Sequence, residues 1–194
     1  MRRSLLPLLL LTLSARGEAP GDPKPPGTTP LAGGTVVMSQ VSYLEVRYGV
    51  DLPRLRKLKG MPVTGRGTWA LQQIAAGRVA SSFQVKALVD TSAARRRSIL
   101  EGLLRQDWPG GEFALTLPEV GDFLDYSGRL LNVGDRFEYR CEPERLWVRY
   151  QHEPWRVFRS RPLREAVLRF NTRVVPANEA AMAAFEKALD EALN

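Results

Sequence analysis

The alternation of apolar and polar side chains is sharpest between Ser81 and Leu117. Phe83, Val85, Ala87 and Val89 fall on one side of an extended segment, and Ser82, Gln84, Lys86 and Asp90 on the other. That period of two predicts a strand with one dry and one wet face. The period then changes. Asp90, Thr91 and Ser92 offer N-cap oxygens, and Ile99, Leu100, Leu103 and Leu104 recur at helical spacing. Pro109, Gly110 and Gly111 stop the helix, and Phe113, Leu115 and Leu117 resume the alternation as a return strand. A helix set between two half-buried strands, where a two-residue turn would have joined them, suggests an element lying across the mouth of a curved sheet.

The flanking chain reads mostly as further strands. Thr35 to Tyr48 holds no Pro and no glycine, and its apolar residues occupy both faces, which suits one long strand in a curled sheet. Asp51 to Pro62 is basic at Arg54, Arg56, Lys57 and Lys59, with Leu52, Leu55 and Leu58 between them. It reads as a solvated connection, with a short amphipathic helix at a membrane surface as the alternative. Gly65 and Gly67 release a strand over Thr68 to Ile74. Phe123 to Val133 is a strand pattern interrupted by Gly128, a glycine that marks a bulge or sharp curvature. Arg136 to Glu142 alternates most cleanly, and Arg145 to Gln151 places Leu146, Val148 and Tyr150 on one face. Residues 153–164 are irregular, Glu165 to Val175 reads as a last strand, and Asn178 caps an amphipathic helix to Leu193. The fold class expected is mainly β: a closed antiparallel barrel of about eight strands, one helix inserted between strands, and a C-terminal amphipathic helix.

Arg2 and Arg3 followed by the apolar run Leu5 to Leu13 predict a signal peptide over 1–15, too short to span a bilayer. Residues 16–34 are rich in Pro and Gly and predict a disordered tether. The barrel domain then occupies 35–176 and the terminal helix 177–194, with the mature protein periplasmic or secreted. Apolar residues make up 44% of the chain and charged ones 25%, so the bulk of it is a folded globule. The balance of 28 basic against 21 acidic side chains favours anionic surfaces weakly, a membrane among them, and is too scattered for a nucleic-acid reader. Cys141 is the single cysteine, so no intramolecular disulfide can form. It shares a face with Phe137 and Tyr139 and reads as a core residue. His152 is the sole histidine and has no metal-ligand constellation around it. No nucleophile–base order, phosphate loop or isolated carboxylate pair stands out, so neither enzymatic activity nor a cofactor is expected.

Three stretches resemble the YceI-like family of exported, lipocalin-type isoprenoid-binding barrels. Ser39 to Val46 followed by Gly65 and Gly67 is similar to its opening strand and glycine turn. Phe83 to Thr91, Arg96, Leu100, Trp108-Pro109 and Phe113 to Leu117 follow its strand, Arg-bearing helix and return strand. Tyr126 to Leu130 with Gly134 resembles its hairpin. The chain departs from the family at Arg97, where an aspartate is usual, and over 142–164. The resemblance implies a non-catalytic barrel enclosing a long apolar ligand such as a polyprenyl chain. Tyr43, Trp69, Phe83, Val85, Phe113, Leu115, Phe137 and Tyr139 would line its tunnel, each buried CH₂ being worth ~0.8 kcal/mol before ordering costs. The alternative is an envelope interaction module with a packed barrel, acting through its basic loop and terminal helix. A homodimer is compatible with either.

Overall fold

The computed structural model of the chain describes residues 25, 27–38, 41–109, 117–174 and 179–194. The expected leader therefore lies outside the described residues. β1 (Thr29–Met38), β2 (Val41–Val50), β3 (Ser81–Ala87), β4 (Arg136–Cys141), β5 (Leu146–Tyr150) and β6 (Arg156–Phe158) form a six-stranded sheet. Each strand pairs antiparallel with its neighbour in sequence. The helices are α1 (Leu52–Arg56), α2 (Arg66–Ala75), α3 (Ala93–Asp107), α4 (Pro118–Ser127), α5 (Arg161–Val174) and α6 (Glu179–Leu193).

The sheet is open, which corrects the closed barrel expected from the sequence. β1 and β6 end the strand order and do not meet. Closure needs enough tilted strands to bring the two edges together, about eight for a small barrel. Three of the segments expected to be strands are helices instead. In α2 the buried residues are Gly67, Ala70, Leu71 and Ile74, spaced i, i+3, i+4, i+7. In α4 they include Val120, Phe123, Leu124 and Ser127, the same spacing. Leu163, Ala166 and Val167 repeat it in α5. The pairs Trp69 and Leu71, and Ala166 and Leu168, stand two apart yet all pack on the core, because the buried stripe of each helix is wide. Gly128 marks no bulge. It caps α4, where a Cβ would meet the Leu124 carbonyl and the Arg97 side chain.

Other elements differ in extent. The single strand expected over Thr35 to Tyr48 is a hairpin, since the chain reverses between Met38 and Val41. β1 starts at Thr29, so the tether expected over 16–34 overlaps a paired strand. Within the basic loop, Asp51 caps α1 by accepting from the Arg54 amide at 3.0 Å. β3, α3, β4, β5 and α6 fall where their patterns place them. The return strand expected at Phe113 lies outside the described residues, and Leu117 is the N-cap of α4.

The junction after β3 is tightly built. Ser92 Oγ accepts from the Arg95 amide at 3.3 Å and starts α3. Thr91 exchanges backbone hydrogen bonds with Leu131 at 2.8 and 3.0 Å. Asp90 accepts from the Val133 amide at 2.8 Å. Below it, β3 buries Ser81, Phe83, Val85 and Ala87, and β4 buries Phe137, Tyr139 and Cys141. These residues join Leu100, Leu104, Phe123, Leu163, Val167 and Phe185 from the helices in one core. An open sheet has a dry face that must be covered, and the helices cover it. Phe123 sits at the centre. Its ring lies 6.4 Å from Tyr139 and 5.7 Å edge-on from Phe158, and none of it reaches solvent.

Two predictions follow from this packing. Phe123→Ala should cost about 3–5 kcal/mol in urea unfolding, because a central ring is lost and its neighbours cannot collapse into the space. Cys141 is buried, and that burial pushes its thiol up to about 12 from 9.0. The neutral thiol thus favours the folded state fully below pH 9.0, and this contribution is lost as pH rises from there towards 12. Native protein at pH 8 should resist a thiol-reactive disulfide reagent and react at once when unfolded; rapid native labelling would show the thiol to be accessible.

Candidate ligand site

The expected tunnel-lining residues separate into three groups. Phe83, Val85, Phe137 and Tyr139 are brought together on the helix-facing side of the sheet, with Phe83 opposite Tyr139 and Val85 opposite Phe137. Phe83 and Tyr139 stack at 4.5 Å, and Phe137 stacks on Tyr139 at 5.9 Å. Trp69 belongs to helix α2, half-buried against the same core. The side chains of Tyr43, Phe113 and Leu115 lie outside the described residues. Among the described residues the sheet does not close into a barrel, so the expected tunnel through one is not formed. Between the sheet and α2, α5 and α6 there is a hollow of about 20 Å³, lined by Leu71, Ile74, Phe83, Leu168 and Phe185 among others. That is room for about one water-sized group.

One side chain in this apolar setting is out of place by composition. Arg96, on α3, is only 6% exposed. Its Nε donates to the Ser127 carbonyl and its Nη2 to the Tyr139 hydroxyl at 3.3 Å. Its guanidinium lies 4.6 Å over the Phe137 ring. Among the described residues no carboxylate pairs with it. A buried cation without an acid is costly, and neutral acceptors with an aromatic face offset only part of that. Beside it the Ser127 hydroxyl is fully buried and faces the Tyr139 hydroxyl, with no hydrogen bond of good geometry among the described residues. Burial pushes the Tyr139 phenol up, opposed by the Arg96 charge, so it stays protonated and able to donate. Arg96, Tyr139 and Ser127 together present a cation and two hydroxyls with spare donor capacity, the requirements of a small carboxylate.

The signal for this site was in the sequence. The buried positions of α3 are Arg96, Leu100, Leu104 and Asp107, so the arginine sits in the apolar stripe rather than on the wet face. Arg97, where the YceI-like pattern has an aspartate, bonds Glu101 at 3.1 Å and also Asp125, tying α3 to α4. Ser127 carried no signal of its own. The basic loop is largely occupied: Arg54 donates to the Arg78 carbonyl at 2.7 Å and Arg56 to the Ala192 carbonyl. Among the described residues no group of three His, Cys, Asp or Glu side chains could hold a metal ion.

No family model and no curated protein matches the chain, so the YceI-like resemblance rests on the motifs quoted above. Solved structures do match. The crystal structure of a fatty-acid binding protein from Arabidopsis thaliana superposes with a TM-score of 0.64 at 10% identity, covering 86% of this chain and 91% of that one. At that identity the likeness establishes the fold. The sheet and helices described above are an architecture that this chain has in common with a fatty-acid binding protein.

Tyr139→Phe keeps the stack on Phe83 and gives up only the hydroxyl facing Arg96. Urea unfolding should show a loss of about 1 kcal/mol, the worth of a hydrogen bond to a charged group in partial compensation. A loss as large as that expected for Phe123→Ala would mean the hydroxyl holds the core together rather than serving the site.

Proposed function

We propose that the chain is a non-catalytic lipid-binding protein whose ligand carries an acid at one end of a long apolar chain. The observation that carries this reading is the buried Arg96 guanidinium, which bonds the Tyr139 hydroxyl and the Ser127 carbonyl and has no carboxylate partner among the described residues. The head group would be held by Arg96, Tyr139 and Ser127. The tail would follow the Phe83–Tyr139 stack, since Phe83 belongs both to that stack and to the lining of the 20 Å³ hollow. There it would part α2, α5 and α6 from the sheet, and each methylene withdrawn from water would contribute ~0.8 kcal/mol towards that opening. The common architecture with a fatty-acid binding protein supports the reading. A plain polyprenyl hydrocarbon, which the YceI-like resemblance implies, would leave the Arg96 charge unanswered; an isoprenoid acid would not. Export to the periplasm or beyond, argued from the N-terminal pattern, belongs to the same proposal.

Native mass spectrometry with palmitic acid and with hexadecanol at matched concentration tests it. One palmitate should bind per chain, and the alcohol should bind at least about tenfold more weakly, since it forgoes a charge-assisted bond. Arg96→Met should abolish that preference while the circular dichroism of the fold is kept. Equal binding of acid and alcohol by the unaltered protein would overturn the reading.

A further inference from the structure

Three helices border the 20 Å³ hollow at the seam, and they are not held equally. α5 is wedged between α2 and α3 and buries Leu163, Ala166, Val167 and Leu168. α2 buries Gly67, Ala70, Leu71 and Ile74 and packs on both α5 and α6. Among its described residues α6 buries Phe185 and Leu189 alone, and it packs on α2, the short α1 and the edge strand β1. Where α6 crosses α2 the side chains do not interlock. Gly67 offers bare backbone there, since a Cβ would overlap Glu186 Cγ and stand 2.9 Å from Met182 Cε. A glycine leaves no ridge of α2 to be unlocked when α6 moves.

The rest of the hold on α6 is polar and lies at its rim. Arg66 Nη1 reaches Asp190 at 3.3 Å and donates to the Asn194 side-chain oxygen at 3.2 Å. Arg56 donates to the Ala192 carbonyl. The Asp190 side chain is 52% exposed, and pairs open to water in this way contribute little and are screened by salt. Underneath, Phe185 is the α6 side chain in the wall of the hollow, facing Leu71 and Ile74 of α2, Leu168 of α5 and Phe83 of the sheet. Raising α6 would open the hollow to solvent at the cost of one ring's contacts. An apolar chain entering there would make the same contacts again with the same walls.

We propose that α6 is a latched lid, which lifts from α2 and β1 to admit an apolar chain to the seam, with Arg66 and Asp190 as the latch. The lid rests on the lipid reading for the nature of its guest and adds the route by which that guest enters. α2 and α5 stay on the sheet as fixed walls, and Phe185 is the stopper that the guest displaces.

Nile red tests the lid, because an uncharged dye makes no demand on Arg96. In the full chain, Gly67→Cys combined with Glu186→Cys brings the two Cβ atoms within the roughly 4 Å that a disulfide bridges, so α2 and α6 can be joined or freed by oxidation and reduction. Cys141 is buried and takes no part. Stopped-flow uptake of the dye should be at least about tenfold slower in the oxidised form, and dithiothreitol should restore the rate of the unaltered chain. Asp190→Asn should speed uptake about two- to fivefold, the worth of an exposed pair. Lys187→Gln, whose partner Glu191 lies on α6 itself at 3.9 Å, should leave the rate unchanged. In the ligand-free protein the amides of α6 should exchange with deuterium as one unit, about tenfold or more ahead of those of α5. Equal uptake by the oxidised and reduced forms, uptake by neither, or α6 amides that exchange only together with those of α5 would overturn the lid. Dye uptake should be unaltered in Arg96→Met, whereas equal binding of palmitate and hexadecanol would overturn the lipid reading without changing these rates.

Discussion

An open antiparallel sheet has one face that water must not reach, and the cover of that face governs this molecule. Phe83, Val85, Phe137 and Tyr139 make the dry side adhesive, and helices supplied from between and after the strands close over it. α5 packs on α2 and α3, α4 on α3, and α6 on α2 and β1. Gly67 lets α2 and α6 come close, since a Cβ there would strike Glu186 and Met182. The candidate lipid site is a consequence of this layering. It lies at the seam between sheet and helices, where an apolar guest can replace one set of contacts with another.

Charge is treated differently on the two faces. On the wet side nearly every cation described has an acid or an aromatic ring for company, and such exposed pairs contribute little to stability. On the dry side two guanidiniums are buried. Arg164 has Nε and Nη1 without partners and reaches Glu165 at 3.3 Å through Nη2. It lies against Gly77 just past the end of α2, where the helix carbonyls concentrate partial negative charge. Arg96 also meets a helix end, the Ser127 carbonyl in the last turn of α4, together with the Tyr139 hydroxyl and the Phe137 ring, but among the described residues no carboxylate pairs with it. What differs between the two is the carboxylate: Arg164 has Glu165 beside it, and Arg96 has none among the described residues.

How much of this was legible follows from which periodicities are unambiguous. β3 and β4 alternate over six to seven residues with polar or charged side chains between, and no helix fits that pattern. α3 announced itself by its cap and its leucines. α2, α4 and α5 did not, because Ala, Gly and β-branched residues fill part of their buried stripes and leave a few large side chains two apart. Once those three were taken for strands, a closed barrel followed by counting. Of the site, the four strand aromatics and aliphatics were readable from alternation. Arg96 was visible only as a polar residue in a helical apolar stripe. Ser127 depended on knowing that the segment around it is helical.

The order of elements along the chain bears on how the protein matures. Phe83 reaches the ribosome exit far earlier than Phe185, which closes the hollow from α6. Until that last helix docks, Leu71 and Ile74 have only part of their cover, and the nascent sheet presents an oily seam to the solvent. Chaperone capture would protect the chain during that interval.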